Sequence, residues 1–200
     1  MRRRASIVLL LALVMVVAFT AVAFASSYAG NNQSSGYGVK ANIYCPSSAP
    51  YVGSSGESNW VSTPGGGYWV QAGWRYYSGY SYAKSYYEYS LPIGYNLVET
   101  NVQNWGAVRT YEVSHTGSGI WAIKMNNSTV GSFGTLAAPV YPVKAMSESH
   151  YPTVQFNTQF GTVQYRNATT WYNFSEAGWR TDSPYYLSIT SYYQYKTLGP

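Results

Sequence analysis

From residue 41 onward, short apolar and aromatic runs alternate with clusters of Gly, Pro, Ser and Asn. The run "YWVQAGWRYY", starting at Tyr68, has the two-residue period of a strand. It puts Val70, Ala72 and Trp74 on one face and Trp69, Gln71, Gly73 and Arg75 on the other. The next run, "KSYYEYS", places Lys84, Tyr86 and Glu88 opposite Ser85, Tyr87 and Tyr89. If these two runs pair through "YYSGYSYA", Gln71 and Glu88 share a face. "RTYEVSHT" and "IWAIKMN" flank "GSG", which predicts a hairpin with a short glycine loop. "TVQFNTQF" alternates cleanly. No segment carries a capped stripe of 3.6-residue period. Many strands separated by turn signals, without a fixed-period repeat, predict an all-β fold. Its form is a two-sheet antiparallel β-sandwich of jelly-roll or concanavalin-like type.

The first 40 residues break this pattern. "MRRR" is basic, the following stretch is apolar, and "AFA" then supplies small residues, the order of a secretory signal peptide over 1–25. Residues 26–40, "SSYAGNNQSSGYGVK", are small, polar and aperiodic, and are expected to form a flexible lead-in. The remaining segment, 41–200, is expected to be a single β-sandwich domain. The expected location is secreted, with membrane contact only in transit through the signal peptide.

Composition supports strands. The chain has 23 Tyr, 7 Trp and 18% aromatics against 10% charged residues, a mix that suits pleated, half-buried surfaces. Of 12 Lys and Arg, three lie in the leader, leaving nine cations against seven acids, net +2. No basic block remains, so nothing points to nucleic acid. The single Cys45 rules out an intrachain disulfide and reads as a small buried hydrophobe. Two histidines, His115 and His150, give no metal-ligand pattern, so no metal and no cofactor is expected. His115, beside a turn, is expected at the surface. His150 follows Glu148 by two residues and would share its face. There is no phosphate loop and no serine nucleophile elbow.

Several segments, in order, resemble the eqolisin-type glutamic peptidases, a secreted β-sandwich family; a looser likeness extends to neprosin-like domains. "SNWV" resembles the family's Ser-Trp-Val segment and puts Trp60 at its groove tryptophan. "WVQAGW" resembles the strand carrying the catalytic glutamine and lands on Gln71. "SYYEY" resembles a Trp-Tyr-Glu-Trp strand and lands on Glu88. "FGTVQY" resembles the closing strand, and "AMSESH" falls where the catalytic glutamate strand belongs. That strand has an Ala-Glu-Trp-Ile-x-Glu pattern with its first Glu catalytic. Here one acid is present. Either Glu148 takes the catalytic place, or it matches the second Glu and Lys144 stands at the catalytic position.

The resemblance implies a groove on one sheet, with Glu148 as general base, Gln71 as oxyanion donor, and Trp60, Trp69 and Glu88 contacting substrate. A glutamate base needs a pKa tuned by its surroundings, and a neutral amide can donate to a developing oxyanion. The expected partner is an extracellular polypeptide, cleaved at acid pH. The alternative is a non-catalytic module binding polysaccharide or peptide on an aromatic sheet face, or a structural exoprotein.

Overall fold

A computed structural model describes residues 26–53, 55–65, 68–92, 94–134 and 141–200. The expected signal peptide, 1–25, lies outside the described residues. Fifteen strands make up the regular structure, and no helix occurs among the described residues. One sheet has seven strands in the order β13 (Arg180–Thr181), β1 (Ser27–Gly36), β10 (Tyr141–Ser149), β3 (Gly56–Gly65), β4 (Tyr68–Tyr77), β5 (Ala83–Leu91) and β6 (Gly94–Gln103). The other has eight, seven of them in the order β14 (Tyr186–Ser191), β15 (Gln194–Gly199), β11 (Phe156–Arg166), β2 (Gly38–Tyr44), β7 (Val108–Gly117), β8 (Ile120–Met125) and β9 (Ser128–Gly134). A short β12 (Trp171–Asn173) pairs with β11. All pairings are antiparallel.

The core lies between the sheets. Val61, Val70, Ala72, Trp74, Val143 and Ala145 from the first sheet meet Val39, Ile43, Tyr111, Val113, Trp121, Ile123 and Phe160 from the second. The alternation in "YWVQAGWRYY" therefore works as expected: Val70, Ala72 and Trp74 are fully buried inward, so Gln71 and Arg75 face out. The β7–β8 hairpin turns through Ser118 and the flanking glycines, all at positive φ. The β8–β9 hairpin turns on Asn126 and Asn127, with φ of 49° and 66°. Asparagine tolerates that left-handed region, which matches the strand twist.

Two expectations are corrected. Residues 26–40 are not a flexible lead-in: they supply β1 and the start of β2, both interior to their sheets. Their polar side chains find partners far along the chain. Asn31 Nδ2 donates to the carbonyls of Glu176 and Tyr192 at 3.1 and 2.9 Å. Gln33 Nε2 and the Ser34 amide donate to the Glu176 carboxylate, each at 2.6 Å. Composition marks such residues as loop-like because it cannot show a partner some 140 residues away. His115 is not at the surface either. Its ring is half-buried between Tyr37 and Trp121. Cys45 is buried as expected.

Candidate functional site

Strand alternation and cross-strand register build a groove on the outer face of the seven-stranded sheet, with a volume of about 460 Å³. Three rows of side chains run across the strands. The first contains Lys144, Ser62, Gln71 and Glu88, which are successive register partners on β10, β3, β4 and β5. The second contains Met146, Trp60, Gly73 and Tyr86. The third contains Tyr28, Glu148, Ser58 and Arg75 on β1, β10, β3 and β4.

The middle row is an apolar floor. Trp60, Tyr86 and Met146 form a small buried cluster separate from the main core, with Tyr28 packed against it. Gly73 lies between Trp60 and Tyr86. Strands β3 and β4 approach so closely there that a Cβ would sit 1.9 Å from the Asn59 carbonyl oxygen.

Both flanking rows are polar, and Gln71, Glu88 and Glu148 in them are hydrogen-bonded. In the first, Gln71 Nε2 donates to Glu88 Oε1 and also to the Tyr86 hydroxyl at 3.1 Å. Tyr95 donates to Glu88 Oε2 at 2.7 Å. Burial raises the Glu88 pKa, the Glu148 charge adds to this, and the Tyr95 hydroxyl and Arg75 charge oppose it. Burial, followed by the Glu88 carboxylate, pushes the Tyr95 pKa up to about 12. In the third row, Tyr28 Oη donates to Glu148 Oε1 at 3.1 Å and Trp60 Nε1 donates to Oε2 at 3.0 Å. Arg75 turns away to pair with Glu99 at 2.6 Å, as does Lys84 at 2.7 Å. Burial alone would raise the Glu99 pKa, but Lys84, Arg75 and Tyr80 together hold it down at about 2.

Gln71, Glu88, Trp60, Trp69 and Glu148 thus line one groove. Gln71 and Glu88 are direct neighbours; Gln71 and Glu148 are not. The apolar row separates them by four residues along the strands and two strands across. At 3.3–3.4 Å per residue and about 4.8 Å per strand, their Cα atoms lie about 16 Å apart. The β10 residue level with Gln71 is Lys144, with Ser62 between them. Trp60 is a floor residue, 4% exposed, with its indole N–H spent on Glu148. Trp69 lies at the rim against Tyr95, ring centroids 6.2 Å apart. His150 also lines the groove and bonds to Ser26 Oγ through Nδ1 at 2.9 Å. Among the described residues, no group of three or more His, Cys, Asp or Glu could hold a metal ion.

Sequence reasoning placed Tyr86 on the face of Glu88 and missed Tyr28, Tyr95 and Arg180 as groove residues. Tyr28 was hidden because β1 did not read as a strand. Tyr95 carries no signal that separates it from the other tyrosines until the register is known.

Neither a protein-family model nor a curated protein sequence matches the chain. Solved structures do. Scytalido-glutamic peptidase with a transition-state analogue inhibitor matches with TM-score 0.65 and 13% identity, covering 86% of this chain and 98% of that one. SCP-B, an eqolisin-family peptidase in complex with the tripeptide Ala-Ile-His, matches with TM-score 0.64 and 12% identity over the same shares. The chain has an eqolisin-like β-sandwich fold.

Proposed function

We propose that the groove binds an extended segment of polypeptide without cleaving it, as an extracellular module of glutamic-peptidase architecture. The observation that carries this reading is the register. Lys144 stands level with Gln71 where a paired base would have to be, while Glu148 lies four residues further along with both oxygens held by donors. An ammonium level with the amide cannot take a proton from an attacking water. What remains is a long apolar floor between two polar rows, suited to an extended chain whose side chains alternate. The similar solved structures hold a peptide or a peptide-based analogue, which favours polypeptide. The buried indole of Trp60 offers no flat face to a sugar ring. The basic, apolar N-terminus supports export, with the groove working outside the cytoplasmic membrane.

A second reading is acid endopeptidase activity, favoured by the presence of Glu148 and Gln71 in one groove. In it Glu148 takes the proton of a water that attacks the peptide carbonyl, and Gln71 donates to the oxyanion. Incubation with an unfolded, carboxymethylated protein between pH 2 and 8 separates the two. The proposal expects saturable binding, lost in Met146→Arg, and no new fragments by mass spectrometry. Fragments that disappear in Glu148→Gln would establish the peptidase. In that case Gln71→Ala should cost about 2.7–4 kcal/mol of transition-state stabilisation.

A further inference from the structure

The groove is electrostatically lopsided. Its two acids are already served: Glu88 by Gln71 and Tyr95, Glu148 by Tyr28 and Trp60. Of its lysine and arginines, Lys144 alone is not, among the described residues. Arg75 is tied to Glu99, outside the groove lining. Arg180 lies over the Tyr28 ring at 4.2 Å and shares its charge with Asp182 on the rim, 2.8 Å away. Lys144 has neither an ion pair nor a hydrogen bond to its amine among the described residues. It is half-buried, on the groove face of β10 between core-facing Val143 and Ala145. Both its desolvation and the Arg180 charge lower its pKa, in that order. Lys144 and Arg180 both line the groove, close enough for the Arg180 charge to act on Lys144, and among the described residues the wall offers Lys144 no counter-ion.

We propose that Lys144, with Arg180 beside it, forms a subsite for a carboxylate of the bound polypeptide, so that the groove selects acidic peptides. This rests on the polypeptide-binding reading and names its ligand class. A half-buried ammonium without a partner bears a desolvation cost that an incoming carboxylate offsets. The hydroxyl of Ser62, next in the same row, lies alongside. The carboxylate comes either from an Asp or Glu side chain or from the chain's C-terminus; both present the same group.

The test uses the intact protein and the peptides acetyl-Ala-Ala-Ala-X-Ala-Ala-Ala, with X either Glu or Gln and the C-terminus either amidated or free. Affinity is read by calorimetry. In parallel, ¹³C-dimethylated lysines are followed by NMR while N-acetylglutamate or its neutral diamide is added, Lys144→Met assigning the signal. The expected result is about tenfold tighter binding of a carboxylate-bearing peptide than of its neutral isostere. That preference should vanish in Lys144→Met, and the Lys144 resonance should move only with the carboxylate. A preference for X = Glu identifies a side-chain source, and one for the free terminus a C-terminal source. Equal binding of all four peptides with an unmoved Lys144 signal overturns the subsite and leaves polypeptide binding standing. If no peptide binds yet the Lys144 signal responds to N-acetylglutamate, the subsite stands and the polypeptide reading falls. No response in either arm overturns both.

Discussion

Glu57 is a buried carboxyl the groove does not use, and it makes stability depend on pH. It lies on the inward face of β3, fully buried, and neither oxygen has a hydrogen-bond partner. Around it are Asn59, Cys45 and Tyr185. Nearby, Ser147 donates to Asn59 Oδ1 and meets the Thr197 hydroxyl at 2.7 Å. Burial raises the Glu57 pKa from 4.5 to about 8, with the neighbouring Asn59 side chain opposing in part. The folded protein therefore holds a proton here that the unfolded chain releases above its ordinary carboxyl pKa. The folded state binds more protons, so stability falls as pH rises from about 4.5 to about 8 and is level beyond. The shift of roughly 3.5 units at 1.36 kcal/mol each gives a loss of about 5 kcal/mol across that window. Glu57→Gln keeps the volume and removes the titration. Urea unfolding followed by tryptophan fluorescence at each pH from 4 to 9 gives the difference between variant and wild type, in which all other titrations cancel. That difference should move in the variant's favour by about 1.4 kcal/mol per pH unit between roughly pH 5 and 8. A difference that stays constant with pH would refute the reasoning, whatever its sign.

Other consequences follow from the same geometry. Glu99→Gln should remove a loss of stability on the acid side. The wild-type carboxylate is held at about 2, so its contribution is present above the ordinary 4.5 and fades as pH falls towards 2; thermal melts between pH 1.5 and 5 read this. Gly73→Ala should destabilise by about 1–3 kcal/mol or more, because the new Cβ meets the Asn59 carbonyl and not a movable side chain; chemical unfolding measures it. Asn127→Gly should leave stability level or raise it by a few tenths of a kcal/mol, whereas Asn127→Val should lower it by about 1–2 kcal/mol, since a β-branched residue resists φ of 66°. Both are read from urea midpoints.

The fold was legible because its strands alternate strongly. Val70, Ala72 and Trp74 against Gln71 and Arg75 is a pattern that only a half-buried strand satisfies, and a short link to "KSYYEYS" brings Glu88 beside Gln71. β1 was illegible for the opposite reason. Its buried residues include Asn31 and Gln33, whose burial is tolerable only because Ser175, Glu176 and Tyr192 supply partners. The site was legible as a set of residues and not as an arrangement. Whether Gln71 faces Glu148 or Lys144 depends on how β10 registers on β3. Those strands are separated by some 80 residues, and a shift of four leaves every side chain on the same face. Periodicity fixes the face and is silent on the row.

The most direct test of a polypeptide-binding groove is to see where a bound chain lies. An acidic, extended peptide carrying a photoreactive benzophenone is bound, irradiated and located by mass spectrometry. The account predicts adducts on the groove face of the seven-stranded sheet, at Met146, Trp69 and their neighbours, suppressed by excess unlabelled peptide and absent in Met146→Arg. Adducts on the eight-stranded sheet, or labelling indifferent to competitor, would contradict it.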